Sequence, residues 1–205
     1  DLQGDIALKI YKEMSTNSAT VGACLFAVEK LMRGTRFFVE PGGESNEDLK
    51  VVDLVETSLH DMSQSWPDTL AEILTMLAYG WSYHEEVYKF RRGEQREAGS
   101  SSRYTDGLIG WRKLPIRAQE SRTRWQFDES GGIQGMYQMP VTAQREIFIP
   151  ITKALLFRPN IHKGNPEGRS VLRTAYTSWY YVKRIQEIEA IGIERNAAGL
   201  PVMYV

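Results

Sequence analysis

Apolar residues recur at helical spacing in four successive stretches at the amino end: DIALKIYKEM, SATVGACLFAVEKLMRG, SNEDLKVVDLVETSLHDM and DTLAEILTMLAYG. Ser, Asn or Asp stands near plausible starts and glycine near two of the stops, so four helices are predicted. Between the second and third, TRFFVEPGG reads as a short strand ending in a turn, to be paired with later strands. From Trp81 to about Pro159 the pattern changes to aromatic and β-branched runs, WSYHEEVYKF, GLIGWRKLPIRA, RTRWQFDES, IQGMYQMP, REIFIP and KALLFRP, separated by Gly, Ser and Pro. These predict an antiparallel sheet. ESGG is expected to be a tight hairpin turn, RRGEQREAGSSSRYTDG a mobile hairpin tip or loop, and PNIHKGNPEG the loop that leads into the last element.

That last element is predicted to be one helix from Gly168 or Arg169 to near Asn196, interrupted by nothing except Gly192. At 1.5 Å per residue it would span roughly 40 Å, more than twice the usual length. Its apolar residues change face along the axis. Leu172, Ala175 and Trp179 share one side, whereas Val182, Ile185, Ile188 and Ile191 repeat every three residues and rotate around it. The two halves should bury different faces. Arg169, Arg173, Arg184 and Arg195 fall within about a quarter turn of one another, with Glu187 among them. Pairing of Lys183 or Arg184 with Glu187 on a solvated face is the plain reading of this flank. The run Trp179, Tyr180, Tyr181 covers almost the whole circumference, which calls for enclosure by neighbouring subunits.

Composition narrows the function. The 205 residues are 42% hydrophobic and 25% charged, ordinary for a globular protein of one domain or two small ones. A formal net charge of -1 creates no overall field for nucleic acid, so any DNA contact must be local or come from repeated copies of a small patch. The single cysteine, Cys24, sits in an apolar stretch and is expected to be a buried structural thiol, which fits a reducing compartment. No apolar run approaches the roughly 20 residues of a membrane span. The chain starts on Asp1 and stops on Val205 inside an apolar run, so it is expected to be part of a longer protein.

Catalytic signatures are missing. His60, His84 and His162 fall on a helix end, a strand and a loop, with no second histidine at metal-ligand spacing; His84 and Glu86 share a strand face, but a polar sheet stretch explains them better than a metal site. There is no phosphate-binding GxxxxGK[ST], no GxGxxG after a strand and no GxSxG elbow. GGES and SGG are turn sequences, and the pairs Glu85/Glu86 and Glu187/Glu189 show no separation of environment. Trp81, Trp111 and Trp125 alternate as core residues rather than as a platform for bases. Neither a cofactor nor a metal is expected.

Four segments together resemble the portal proteins of tailed bacteriophages, the Mu-like branch in particular: AYGWSYHEEVYK, DGLIGWRKLPIRAQESRTRWQFDESGGI, KALLFRPN and GRSVLRTAYTSWYYVKRIQEIEAIGIERNAAGLPVMYV. Their order and spacing carry the resemblance, which covers residues 67–205 well and the first sixty loosely. It implies an α+β fold: amino-terminal helices, a central antiparallel sheet forming a wing, and a long carboxy-terminal stem helix. On that pattern residues 1–166 are wing, 167–198 stem, and 199–205 the start of a clip; the return stem helix, tunnel loop and crown are absent from this sequence.

The resemblance further implies a non-enzymatic structural subunit of the virion, assembled in the host cytoplasm. Such subunits form a ring, typically of twelve, through which double-stranded DNA is packaged and ejected. The implied partners are other copies of the chain, DNA without sequence preference, the terminase large subunit, the major capsid protein and a neck or head-completion protein, with no membrane. Repetition around an axis turns Arg169, Arg173, Arg184 and Arg195 into stacked charged rings that either face DNA backbone or pair with Glu187 or Glu189 of the adjacent subunit. Leu172, Trp179, Val182, Ile185, Ile188 and Ile191 become stem packing residues, the upper ones against their own wing and the lower ones against neighbouring stems. Two other readings stay open: another structural subunit of a phage head-tail assembly, and a fragment of a nucleic-acid-processing enzyme whose active site lies elsewhere.

Overall fold

The computed structural model describes residues 2–140, 145–161, 164–197 and 199. Four helices come first: α1 (Gly4–Asn17), α2 (Ala19–Arg33), α3 (Asn46–His60) and α4 (Trp66–Tyr79). Ser45 caps α3, accepting from the Asp48 amide at 3.1 Å while the Asp48 carboxylate accepts from the Ser45 amide at 3.2 Å. The GGES turn therefore ends in a capping box, which satisfies two otherwise orphaned amides of the helix start. Ser65 caps α4, its hydroxyl accepting from the Asp68 amide at 3.3 Å.

Eight strands come next: β1 (Ser82–Glu85), β2 (Val87–Phe90), β3 (Ile109–Lys113), β4 (Ile116–Arg117), β5 (Arg122–Phe127), β6 (Ile133–Gln138), β7 (Ile147–Pro150) and β8 (Ala154–Phe157). All pairings are antiparallel, as the sequence predicts, but they build three small sheets instead of one: β4-β1-β8, β2-β3 and β5-β6-β7. Glu86 breaks the run WSYHEEVYKF. Its amide donates to Lys153 O at 2.9 Å while its carboxylate accepts from the Trp111 indole at 3.3 Å, and the register shifts at Val87/Tyr88. Pro115, which has no N–H to give a ladder, separates β3 from β4. The predicted strand at TRFFVEPGG does not form; Phe37 instead packs edge-on against Trp66 at 5.7 Å. ESGG is a hairpin turn, with the Asp128 side chain accepting from the amides of Ser130 and Gly132.

Two apolar clusters make the core. Ala7, Tyr11 and Met14 of α1 meet Ala78 of α4 and Leu172; Trp81, Tyr83, Met136, Ile149 and Ala154 fill the second, with Trp125 edge-on to Trp81 at 5.1 Å. The chain passes from one cluster to the other at Gly80, which ends α4 with φ +89°. A Cβ there would lie 2.6 Å from the Glu167 carbonyl oxygen. Gly168, at φ +55°, faces it, and a Cβ on that residue would meet the Gly80 carbonyl. Two backbones cross in van der Waals contact because neither carries a side chain.

In β2 the alternation is inverted relative to expectation: Tyr88 and Phe90 point to solvent while Lys89 is buried. The reason is Asp61 at the end of α3. Lys89 Nζ lies 3.1 Å from its carboxylate, the two side chains being only 3% and 4% exposed. The ammonium also donates to the carbonyls of Asp61 and Ser101, and the carboxylate accepts from the Ser102 hydroxyl at 2.7 Å and the Arg103 amide at 2.9 Å. Burial alone raises the Asp61 pKa, but the Arg103, Ser102 and Lys89 donors outweigh it and hold the carboxyl below its ordinary value. The polar loop of residues 91–107 is thereby tied to α3.

Gly80→Ala is expected to destabilise the fold by at least about 2 kcal/mol, through the left-handed backbone and the carbonyl contact, whereas Gly192→Ala, in open space within a helix, should stabilise it by about 0.5–1 kcal/mol; urea denaturation of the two variants measures both. Asp61→Asn should cost about 3–5 kcal/mol, because it leaves the Lys89 ammonium buried without its counterion. Since the folded Asp61 pKa lies below the unfolded one, its contribution is present above the ordinary carboxylate pKa and is lost as pH falls through the folded value. Acid titration of stability should therefore flatten in Asp61→Asn relative to the parent.

Candidate subunit and nucleic-acid interface

The last helix starts later than its sequence suggests. Residues Val171–Thr174 form a 3₁₀ turn, and the α-helix α5 runs Tyr176–Ala197. The cause is Ser170, whose hydroxyl donates to Ala78 O at 2.5 Å and accepts from the Leu172 amide at 3.0 Å. Bound to the end of α4 and following the left-handed Gly168, the backbone makes a tighter turn before helix geometry sets in. α5 is about 33 Å long by its 22 residues.

This displaces half of the predicted arginine flank. Arg169 and Arg173 precede α5; Arg173 donates to Leu2 O at 2.6 Å, and both line a cavity of ≈ 400 Å³ with the start of α1 and Glu167. Arg184 and Arg195 remain on one side of α5, eleven residues apart. Arg184 pairs with Glu187 at 2.8 Å and its Nε donates to the Tyr180 hydroxyl at 3.3 Å; the Tyr180 and Glu187 contacts raise its pKa further above an already high value. Lys183 does not pair with Glu187 but reaches Glu13 on α1.

The predicted stem packing residues divide at Trp179. Leu172 is buried in the helical cluster and Trp179 packs half-buried against it, together with Tyr176. Beyond Trp179 every apolar side chain of α5 is exposed: Tyr181 61%, Ile185 54% and Ile188 68%, with Val182, Ile191 and Ile193 alike. Tyr181, Ile185, Ile188 and Gly192 share a stripe on the side of the helix opposite Trp179, so it faces away from the body to which the helix is rooted. Arg184 and Arg195 border that stripe on one side and Glu189 on the other.

Other candidates resolve differently. Cys24 is exposed, not buried: α2 has no buried residue, and the open flank of its apolar stripe carries the thiol. His84 is fully buried beside Phe157, its Nδ1 2.9 Å from Leu114 O, and burial pushes its pKa down. Glu86 lies outside the strand that holds His84, so the two do not form a ligand pair. His60 ends α3, and His162 lies outside the described residues, as does the clip-like stretch 199–205 apart from Gly199. Among the described residues no group of three or more His, Cys, Asp or Glu side chains could hold a metal ion, and no helix is long and apolar enough to cross a membrane. Sequence reading missed the buried Lys89–Asp61 pair, because a lysine between two aromatics reads as the solvent side of a strand.

Among solved structures, the chain is similar to a chain of the neck of an empty GTA particle, computed with C6 symmetry. The TM-score is 0.57 at 10% sequence identity, over 95% of this chain and 48% of the other, so the likeness is one of fold and the present chain spans about half the length of that protein. No curated protein matches it. The family described as the portal protein of Mu bacteriophage matches residues 8–205, reaching further toward the amino end than the resemblance of the separate segments. The helical amino end, the antiparallel middle and the projecting final helix are thus the fold of a chain that belongs to the Mu bacteriophage portal protein family.

Proposed function

We propose that the chain is the wing and stem portion of a portal subunit, which closes into a ring, of twelve copies by the family pattern, around a channel for double-stranded DNA. Membership of the Mu portal family makes a structural role in a phage particle the starting point. The observation that carries the finer reading is the exposed stripe of α5. A helix of 22 residues that touches its own chain only near its root gains little stability alone, and most helices are held by packing of an apolar face. Val182, Ile185, Ile188, Ile191 and Ile193 together leave on the order of 10 kcal/mol of apolar burial unrealised. Neighbouring stems, placed around an axis, supply that burial.

In this reading residues 1–166 are wing, residues 167–198 with α5 are stem, and residues 199–205 are the start of a clip. The clip side docks the terminase motor during packaging and the neck afterwards, and the major capsid protein is a further partner; the finished ring is a virion component assembled in the host cell. Arg184 and Arg195 face the channel, where repeated rings of positive charge hold the DNA backbone loosely and without sequence preference. A second use has its own support: Glu187 is already taken by Arg184, whereas Glu189 has no ion-pair partner among the described residues, which leaves Glu189 for an arginine of the next subunit.

Ile185→Asp combined with Ile188→Asp in the full-length protein should leave the fold of the subunit intact, since both side chains already lie in water, and should abolish ring assembly in native mass spectrometry. A ring that persists in this variant rules out the stripe as the stem contact. Replacing Arg184 and Arg195 by alanine should reduce DNA packaged per particle while rings stay intact; loss of the rings instead assigns these arginines to the subunit contact.

A further inference from the structure

The cavity of ≈ 400 Å³ beside Gly168 brings together hydrogen-bond donors from two distant stretches of the chain. Arg169 and Arg173 line it, and neither forms an ion pair among the described residues: Arg173 is tied to the Leu2 carbonyl, and the Arg169 side chain makes no hydrogen bond. The one acid among the described lining residues, Glu167, is already held by Arg122 at 3.3 Å and by the Trp125 indole at 3.4 Å. Tyr11 of α1 also lines the cavity. It is only 4% exposed, yet no well-aligned hydrogen bond among the described residues satisfies its hydroxyl. Burial pushes the Tyr11 pKa up, so the phenol keeps its proton, and Arg173 followed by Arg169 oppose that rise, which places both cations near the hydroxyl. A buried donor left unanswered is costly. On the wall formed by Gln3, Gly4 and Ala7, α1 begins without a side-chain cap, so the positive end of this 14-residue helix borders the same space.

We infer that this cavity binds a small oxyanion of the phosphate class, held by Arg169, Arg173, the Tyr11 hydroxyl and the start of α1. Guanidinium and helix amide groups donate and do not accept, and a protonated phenol beside them completes a set that an ion with acceptor oxygens on every side satisfies at once. A cation would meet two uncompensated arginines. Guanidinium groups pair with phosphate through parallel N–H···O bonds, and helix starts favour negative charge. The two arginines flank Ser170, whose hydroxyl bonds to the end of α4, so the bound anion joins α1 to the chain crossing at a point where like charges gather. Such a site requires no second subunit.

Full-length protein titrated with inorganic phosphate, against chloride at equal ionic strength, tests this through thermal unfolding, with calorimetry giving the Kd. Phosphate should raise the Tm to saturation and chloride should not, because a ligand of the folded state stabilises it by mass action. Arg169→Gln should weaken phosphate binding about ten-fold or more, the loss of a charged hydrogen bond, with the Tm in chloride unchanged. Tyr11→Phe should weaken it less, and Arg195→Gln, on α5, should bind as the parent does. Absence of a saturable phosphate effect overturns the inference, and so does an effect that survives Arg169→Gln or falls equally in Arg195→Gln. An effect that depends on Arg169 but arises only with short duplex DNA overturns it as well, and assigns these arginines to a nucleic-acid backbone.

Discussion

Everything in this chain hangs on the crossing of two backbones at Gly80 and Gly168. Gly80 turns the end of α4 into the first strand, and Gly168 turns the loop after β8 into the root of α5; each lies where a side chain on the other would have to go. Ser170 then locks the crossing by a hydroxyl bond to the carbonyl of Ala78. Since Ala78 and Leu172 belong to one apolar cluster and Trp81 to the other, this single joint fixes helices, sheets and final helix in one frame. Direct contact of main chains allows no slack, because carbonyls and Cα atoms cannot rotate away as side chains do.

α5 is rooted in that frame. Trp179 and Tyr176 against α1, and Lys183 against Glu13, brace its first two turns. Past these turns the helix buries no apolar side chain, and its isoleucines lie in water in the single chain. The chain belongs to the Mu portal family over residues 8–205 and shares its fold with a chain of the neck of an empty GTA particle.

Much of the architecture is legible in the order of residues alone. Helical spacing with Ser45 at the start identifies α3, the spacing in DTLAEILTMLAYG identifies all but the first two residues of α4, and ESGG identifies the β5–β6 turn, since capping and turn chemistry act within a few residues. Several misreadings involve contacts far apart in sequence. TRFFVEPGG has the composition of a strand but finds no partner, and Phe37 serves Trp66 instead. Lys89 looks solvent-facing until Asp61 is brought under it, and Cys24 looks buried until α2 is found with nothing over its outer flank.

The sequence by itself determined most of the element types, the antiparallel character of the middle and the family, because periodicity, caps and turn residues act locally. The tertiary structure alone decided where α5 begins and which of its faces stays open. A helix pattern running through Arg169 and Arg173 cannot reveal that Ser170 will be held by Ala78, ninety-two residues away, and wound into a 3₁₀ turn. The turn places Arg169 and Arg173 before α5, and the packing of Tyr176 and Trp179 with the Lys183–Glu13 pair leaves Tyr181, Ile185 and Ile188 on the open side.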